Sequence, residues 1–199
     1  MLSTVYLAAE DVPGLAVGRK LVAEQTALSV YGVKNGSGYG NLKKKTPNYD
    51  QMGSKGLPVL MLTDLDDSPC PEKKITEWLG RPPSRGFLFR ICVREVEAWL
   101  LADRNAIAGF LRVSIATLPL APESLSDPKA KLIQLAQNAP RKIRDGLTPV
   151  GRAAIGPDYN ELLGAFIAEK WSIERAVERA PSLARARRRV ADLATEVTA

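Results

Sequence analysis

The residues best equipped to do chemistry are Asp64 and Asp66, where the apolar run Leu57-Pro58-Val59-Leu60-Met61-Leu62 ends in Thr63-Asp64-Leu65-Asp66-Asp67 before Ser68-Pro69-Cys70. An unbroken apolar stretch of strand length reads as a strand buried on both faces. Open α/β sheets bind their ligands at the carboxyl ends of such strands. Residues two apart on an extended strand share a side, so the spacing predicts that Asp64 and Asp66 aim at one point. Two carboxylates so placed need a shared proton or an opposite charge, and a divalent cation supplies the charge. A helix N-cap or Asp-rich turn is the plainer reading of the same residues. Glu10 closes another β-type run, Thr4-Val5-Tyr6-Leu7-Ala8-Ala9, and leaves the sheet at the same edge if the strands are parallel. Glu95 and Glu97 follow the apolar run from Gly86 to Val93. Acids there suit the positive end of a helix dipole, and they equally suit a further ligand or base beside Asp64 and Asp66.

Composition narrows that chemistry. The chain has no histidine, which excludes Ser-His-Asp and Cys-His catalysis and histidine-ligated metals. Its two cysteines, Cys70 and Cys92, build neither a disulfide framework nor an ordinary structural zinc site. Catalysis is left to carboxylates, lysine, arginine, hydroxyls or an oxygen-ligated Mg2+ or Mn2+. The net charge of +6 is concentrated at Lys43, Lys44 and Lys45 and at Arg185, Arg187, Arg188 and Arg189. Basic clusters around an acidic strand end suit a polyanion held over a metal, and also suit a solvated surface or a protein partner. The Gly-rich stretch from Gly32 to Gly40 reads as a flexible basic loop able to approach phosphate, although it has neither the Walker A pattern nor the dinucleotide glycine spacing. Lys34, Lys43, Lys44, Lys45, Arg187 and Arg188 are the candidate nucleic-acid-binding residues.

Around these residues the chain predicts an α/β fold. A helix from about Leu15 to Glu24 separates the first strand from a second at Ala27 to Val33, an order that favours a mostly parallel sheet. Further helices are expected over Glu72 to Leu79 and from Val96 through Leu100, Ile107 and Phe110, with a stop at Gly80-Arg81-Pro82-Pro83. Ser126-Asp127-Pro128 starts another helix, and more follow to the C-terminus. The expected organisation is an α/β core over 1–111 and a helical extension over 112–199 packed on it, as two parts or one compact domain. No apolar stretch has the length of a membrane span and Met1 to Ala9 lacks a basic signal-peptide start, so a cytoplasmic location without membrane contact is expected.

A glutamate after the first strand (Glu10) and an Asp-x-Asp after a later one (Asp64, Asp66), in βαβ order, resemble the Toprim domain of topoisomerases, primases and OLD-type nucleases. Glu95-Val96-Glu97-Ala98-Trp99-Leu100-Leu101, joined to an arginine-rich helical tail, resembles a family of small prokaryotic Toprim-like proteins encoded beside AAA or ABC-type ATPases, often in anti-phage defence loci. The resemblance implies a Mg2+- or Mn2+-dependent nuclease or phosphodiester-processing subunit. Its ligands would be Glu10, Asp64 and Asp66 with Glu97 or Glu95, and its catalytic residues Glu10, Asp64, Asp66 and Glu97. Expected partners are an ATPase subunit, DNA or RNA, and a second copy of the chain. Toprim proteins usually follow their glutamate with glycine and then another acid; here Asp11 and Gly14 stand in those places. A non-catalytic assembly or sensor subunit is the rival expectation.

Overall fold

The computed structural model describes residues 3–35 and 38–196. Four strands, β1 (Ser3–Ala9), β2 (Leu28–Asn35), β3 (Val59–Asp64) and β4 (Phe87–Cys92), form an all-parallel sheet in the order β2-β1-β3-β4. The alternation of the strands divides the core. Leu7, Leu60, Leu62 and Leu88 face one hydrophobic cluster, while Ala8, Val59, Met61, Phe87 and Phe89 face another. Both faces are covered, as parallel sheets require, which is why these strands read as continuous apolar runs.

Helix α1 (Val12–Ala23) buries Val17, Leu21 and Val22 on the first face. Helices α2 (Tyr39–Ser54) and α3 (Pro71–Leu79) cover the other. Of the flexible basic loop expected between Gly32 and Gly40, the first residues belong to β2 and only Tyr39 and Gly40 to α2. Gly32 to Asn35 extend β2, and Lys43, Lys44 and Lys45 lie on α2. Its glycines and Pro47 hide the helix from propensity, but Leu42, Thr46, Tyr49 and Gly53 recur at helical spacing and are buried. Gly53 is required where α2 passes β4, since a Cβ there would stand 2.7 Å from the Gly86 carbonyl carbon. Gly36 and Ser37 of the expected loop, and the side chain of Lys34, lie outside the described residues.

After β4 come α4 (Val96–Ala102) and α5 (Arg104–Leu111). The periodicity through Phe110 predicts one helix, but Asp103 breaks it. Asp103 caps α5 through the Ala106 N–H, and it takes two hydrogen bonds of 2.8 Å from the Arg175 guanidinium and one of 2.8 Å from the Ser172 N–H. The rest is helical: α6 (Pro128–Ala136), α7 (Arg141–Leu147), α8 (Tyr159–Glu169), α9 (Ile173–Ala176) and α10 (Pro181–Glu196). All seven residues of α4 are buried. A single cluster runs from Val5 and Leu7 through Trp99 to Leu163, Val190 and Leu193, so the helical extension shares its core with the sheet. No helix among the described residues is long and apolar enough to cross a membrane.

Candidate functional site

Three strand ends deliver acids to one edge of the sheet. Glu10 and Asp11 follow β1, Asp64 closes β3 with Asp66 just beyond it, and Glu95 and Glu97 follow β4 at the start of α4. Parallel pairing puts all of these at the carboxyl edge.

The Asp-x-Asp pair is not extended as its spacing suggests. The strand ends at Asp64, and Asp66 adopts the left-handed region with φ 51°. Backbone bonds from Leu65 N–H and Asp66 N–H to the Arg94 carbonyl, at 2.8 and 3.1 Å, hold that turn. The two carboxylates therefore serve different neighbours. Asp64 Oδ1 accepts from the Val96 N–H of α4 at 2.8 Å, while Asp66 Oδ2 pairs with Lys74 Nζ at 2.8 Å. Lys74 is itself buried, donates to the Leu65 carbonyl at 3.2 Å, and lies 5.0 and 5.3 Å from the ring centres of Tyr39 and Trp78. An open hollow of about 410 Å³ beside Asp66 is lined by Tyr39, Ser68, Lys74 and Glu77.

Glu10 interacts electrostatically with both carboxylates. Its Oε2 accepts from the Thr63 hydroxyl at 3.0 Å. Burial, then the charges of Asp66 and Asp11, push its carboxyl above the usual range, while the Thr63 bond and Lys74 pull it down. Asp11 has a structural task, since its Oδ1 accepts from the Gly14 N–H at 2.8 Å and caps α1. It nevertheless belongs to the cluster. Burial raises its pKa, and its charge acts on Asp64, Glu97 and Glu10 alike.

The deepest part of the site is closed by the helical extension. Glu97 is wholly buried. Its Oε1 accepts from the Tyr159 hydroxyl of α8 at 2.7 Å, while its Oε2 is buried without a hydrogen-bond partner among the described residues. Burial pushes the Glu97 carboxyl up to about 7, with Lys129 and Tyr159 opposing the rise. Asp64 is driven well above its ordinary value, first by burial and then by Glu97, Asp11 and Glu10. Lys129 of α6 supplies the countercharge, with Nζ 3.5 Å from Glu95 Oε1 and 3.8 Å from Glu97 Oε1. The Lys129 N–H also donates to Glu95 Oε2 at 2.8 Å, so Glu95 serves the first turn of α6.

Sequence reasoning missed Lys129, Tyr159 and the electrostatic part played by Asp11. Only Asp127-Pro128, which fixes where α6 starts, points towards Lys129, and nothing local marks Tyr159. Of the basic candidates, Lys43 pairs with Glu77, and Arg187 Nε lies 2.9 Å from Glu24 Oε2, whereas Lys44 and Arg188 are exposed. The donors around Asp64, Glu97, Asp11 and Glu10 are hard oxygens, the class that Mg2+ and Mn2+ take. The unpartnered Glu97 Oε2 and the mutual repulsion of these acids match a cation's needs. As they stand, however, no group of three or more Asp, Glu, His or Cys among the described residues is arranged to hold a metal ion. A buried carboxyl with a pKa near neutrality is suited to proton transfer. Compared with known proteins, the chain matches no family, no curated protein and no solved structure.

Proposed function

We propose that the chain is a divalent-metal-dependent hydrolase of phosphodiesters, acting on nucleic acid at the carboxyl edge of the sheet. The observation that carries this reading is the buried Glu97 Oε2, without a hydrogen-bond partner among the described residues, set among acids from three strand ends whose burial and neighbouring negative charges raise their pKa values although Lys129 stands beside them. Asp64, Glu97 and Glu10, with Asp66 at the rim, are the residues that would hold Mg2+ or Mn2+. The ion would contribute Lewis acidity towards a phosphate oxygen and a lowered pKa for water.

The chain's own residues have distinct parts in this reading. Glu10, half-buried and raised in pKa, accepts a proton from water, and Thr63 fixes its carboxylate. Tyr159 holds one oxygen of Glu97 and leaves the other free. Lys129 keeps the buried acids from repelling one another apart before a cation binds. The exposed Lys44 meets the nucleic-acid backbone without reading sequence. Consistent with the Toprim-like resemblance, the chain would work with an ATPase subunit in anti-phage defence.

The test is cleavage of labelled single-stranded DNA, duplex DNA and RNA with Mg2+ or Mn2+, with and without chelator, by the chain and by Asp64→Asn, which keeps an acceptor for the Val96 N–H. Metal-dependent cleavage lost in the variant supports the proposal. Equal cleavage by both proteins ends it.

A second reading has its own support. Lys74 on Asp66 and Lys129 on Glu95 and Glu97 already occupy carboxylates that a metal would use, as in a non-catalytic assembly or sensor subunit. Calorimetric titration separates the two, because absence of heat with millimolar Mg2+ and Mn2+ favours the second.

A further inference from the structure

We propose that the cleft across the free edge of β4 binds a nucleoside phosphate, whose phosphate is held between Arg90 and Arg185. Among the described residues β4 pairs with β3 alone, and a cleft of about 470 Å³ opens along its other side, between α3 and α10. Its lining includes Glu72 and Ile75 of α3, Phe89, Arg90 and Ile91 of β4, and Arg185 of α10. The strand's alternation turns Arg90 to the α10 side of the edge, beside Arg185, and buries Phe89 and Ile91 under α3, where Pro71 and Ile75 are the partly exposed apolar residues of the lining.

This cationic side has no carboxylate paired with it among the described residues. Arg90 Nε donates to the Phe89 carbonyl at 2.9 Å, but its terminal nitrogens have no acceptor among the described residues. Burial lowers its pKa, and the nearby charges of Arg189 and Arg185 lower it further. Arg189 is neutralised by Asp192 at 2.7 Å, whereas neither Arg90 nor Arg185 forms an ion pair among the described residues. Glu72 is the carboxylate in the lining, and it makes no ion pair there with either arginine. Guanidinium forks match phosphate oxygens two at a time, which makes phosphate the natural anion for this pair. The cleft is larger than a phosphate needs, and its volume falls in the range of small-molecule sites. Pro71 and Ile75 offer apolar surface for a base, while Glu72 can accept from amino or ribose hydroxyl groups.

The site does not depend on the carboxylate cluster being catalytic. The test is calorimetric titration of the full chain with AMP, adenosine, inorganic phosphate, and a short oligonucleotide carrying either a 5′-phosphate or a 5′-hydroxyl. AMP is expected to bind more tightly than phosphate or adenosine. Arg185→Gln, at an exposed position, should weaken AMP by about 10- to 100-fold, the loss expected for a charged hydrogen-bonding partner. Asp64→Asn should leave AMP binding unchanged. Competition by the 5′-phosphorylated strand, and not by its 5′-hydroxyl form, assigns the site to strand ends; its absence assigns the site to free nucleotides. No binding of AMP, equal binding of AMP and adenosine, an unaffected Arg185→Gln, loss in Asp64→Asn, or displacement by a polyglutamate peptide as effective as by AMP would overturn the proposal. Loss of cleavage with intact AMP binding would count against the hydrolase reading alone.

Discussion

Replacing Glu97 by glutamine should make the protein more stable above neutral pH, although the residue sits at the heart of the candidate site. Burial raises its carboxyl from 4.5 to about 7, so the folded chain holds the proton more tightly than the unfolded one. The stabilisation is complete below the unfolded value and is lost as the pH climbs through about 7. Each tenfold change in proton affinity is worth about 1.4 kcal/mol, so ionising Glu97 in place costs on the order of 3 kcal/mol. Glutamine keeps an acceptor for the Tyr159 hydroxyl and carries no charge. It also turns an N–H donor towards the acids around Oε2. Urea denaturation of both proteins in chelator, from about pH 4 to about pH 8, should show the variant gaining roughly 3 kcal/mol relative to the parent. In thermal unfolding the gain at the alkaline end is roughly 6–12 °C. The same variant should lose metal-dependent cleavage, the trade expected where a strained site is kept for function. Parallel stability curves for the two proteins across this range would refute the assignment of Glu97 as a buried acid titrating near neutrality.

Other outcomes follow from neighbouring contacts. Tyr159→Phe removes the one hydrogen bond to Glu97 and should cost about 1–3 kcal/mol at pH 8, with a smaller loss at pH 5, read by denaturation at both. Lys129→Met withdraws the cation from Glu95 and Glu97, so it should destabilise the apo protein at pH 8 and enlarge the rise in melting temperature on adding Mg2+, measured side by side with the parent. Asp103→Asn removes the charge and one acceptor oxygen from the pair of bonds to Arg175, whose side chain is about half exposed, with an expected loss of about 1–2 kcal/mol by urea titration. Gly156→Ala would place a Cβ 2.2 Å from the Gly146 carbonyl oxygen, and should lower the melting temperature sharply.

The sheet was legible because its strands are covered on both sides. Val59 to Leu62 and Phe87 to Phe89 could be read as strands since neither run needs a polar face, and the acids that end them mark one edge. Helix α2 escaped notice because burial of Leu42, Thr46, Tyr49 and Gly53 outweighs the poor propensity of its glycines and Pro47. The candidate site was legible only in its sheet half. Glu10, Asp64, Glu95 and Glu97 announce themselves as acids after apolar runs, but Tyr159 lies 62 residues from the carboxylate it serves. Asp66 shows the limit of reading by period. The alternation that aligns i and i+2 ends with the strand, and the left-handed conformation two residues later sends its carboxylate to Lys74.

The hydroxyl of Ser182, at the beginning of α10, accepts from the Trp99 indole at 2.7 Å and from the Val93 N–H at 3.3 Å, and donates to Glu123 at 2.6 Å. One small side chain thus ties the last helix to the segment leaving β4 and to the ring two residues after Glu97. That oxygen adds a directional tie to the apolar packing of Leu183, Ala186 and Val190, which lie in the same core as Trp99, so a displacement of α10 would be felt by the acid-bearing helix.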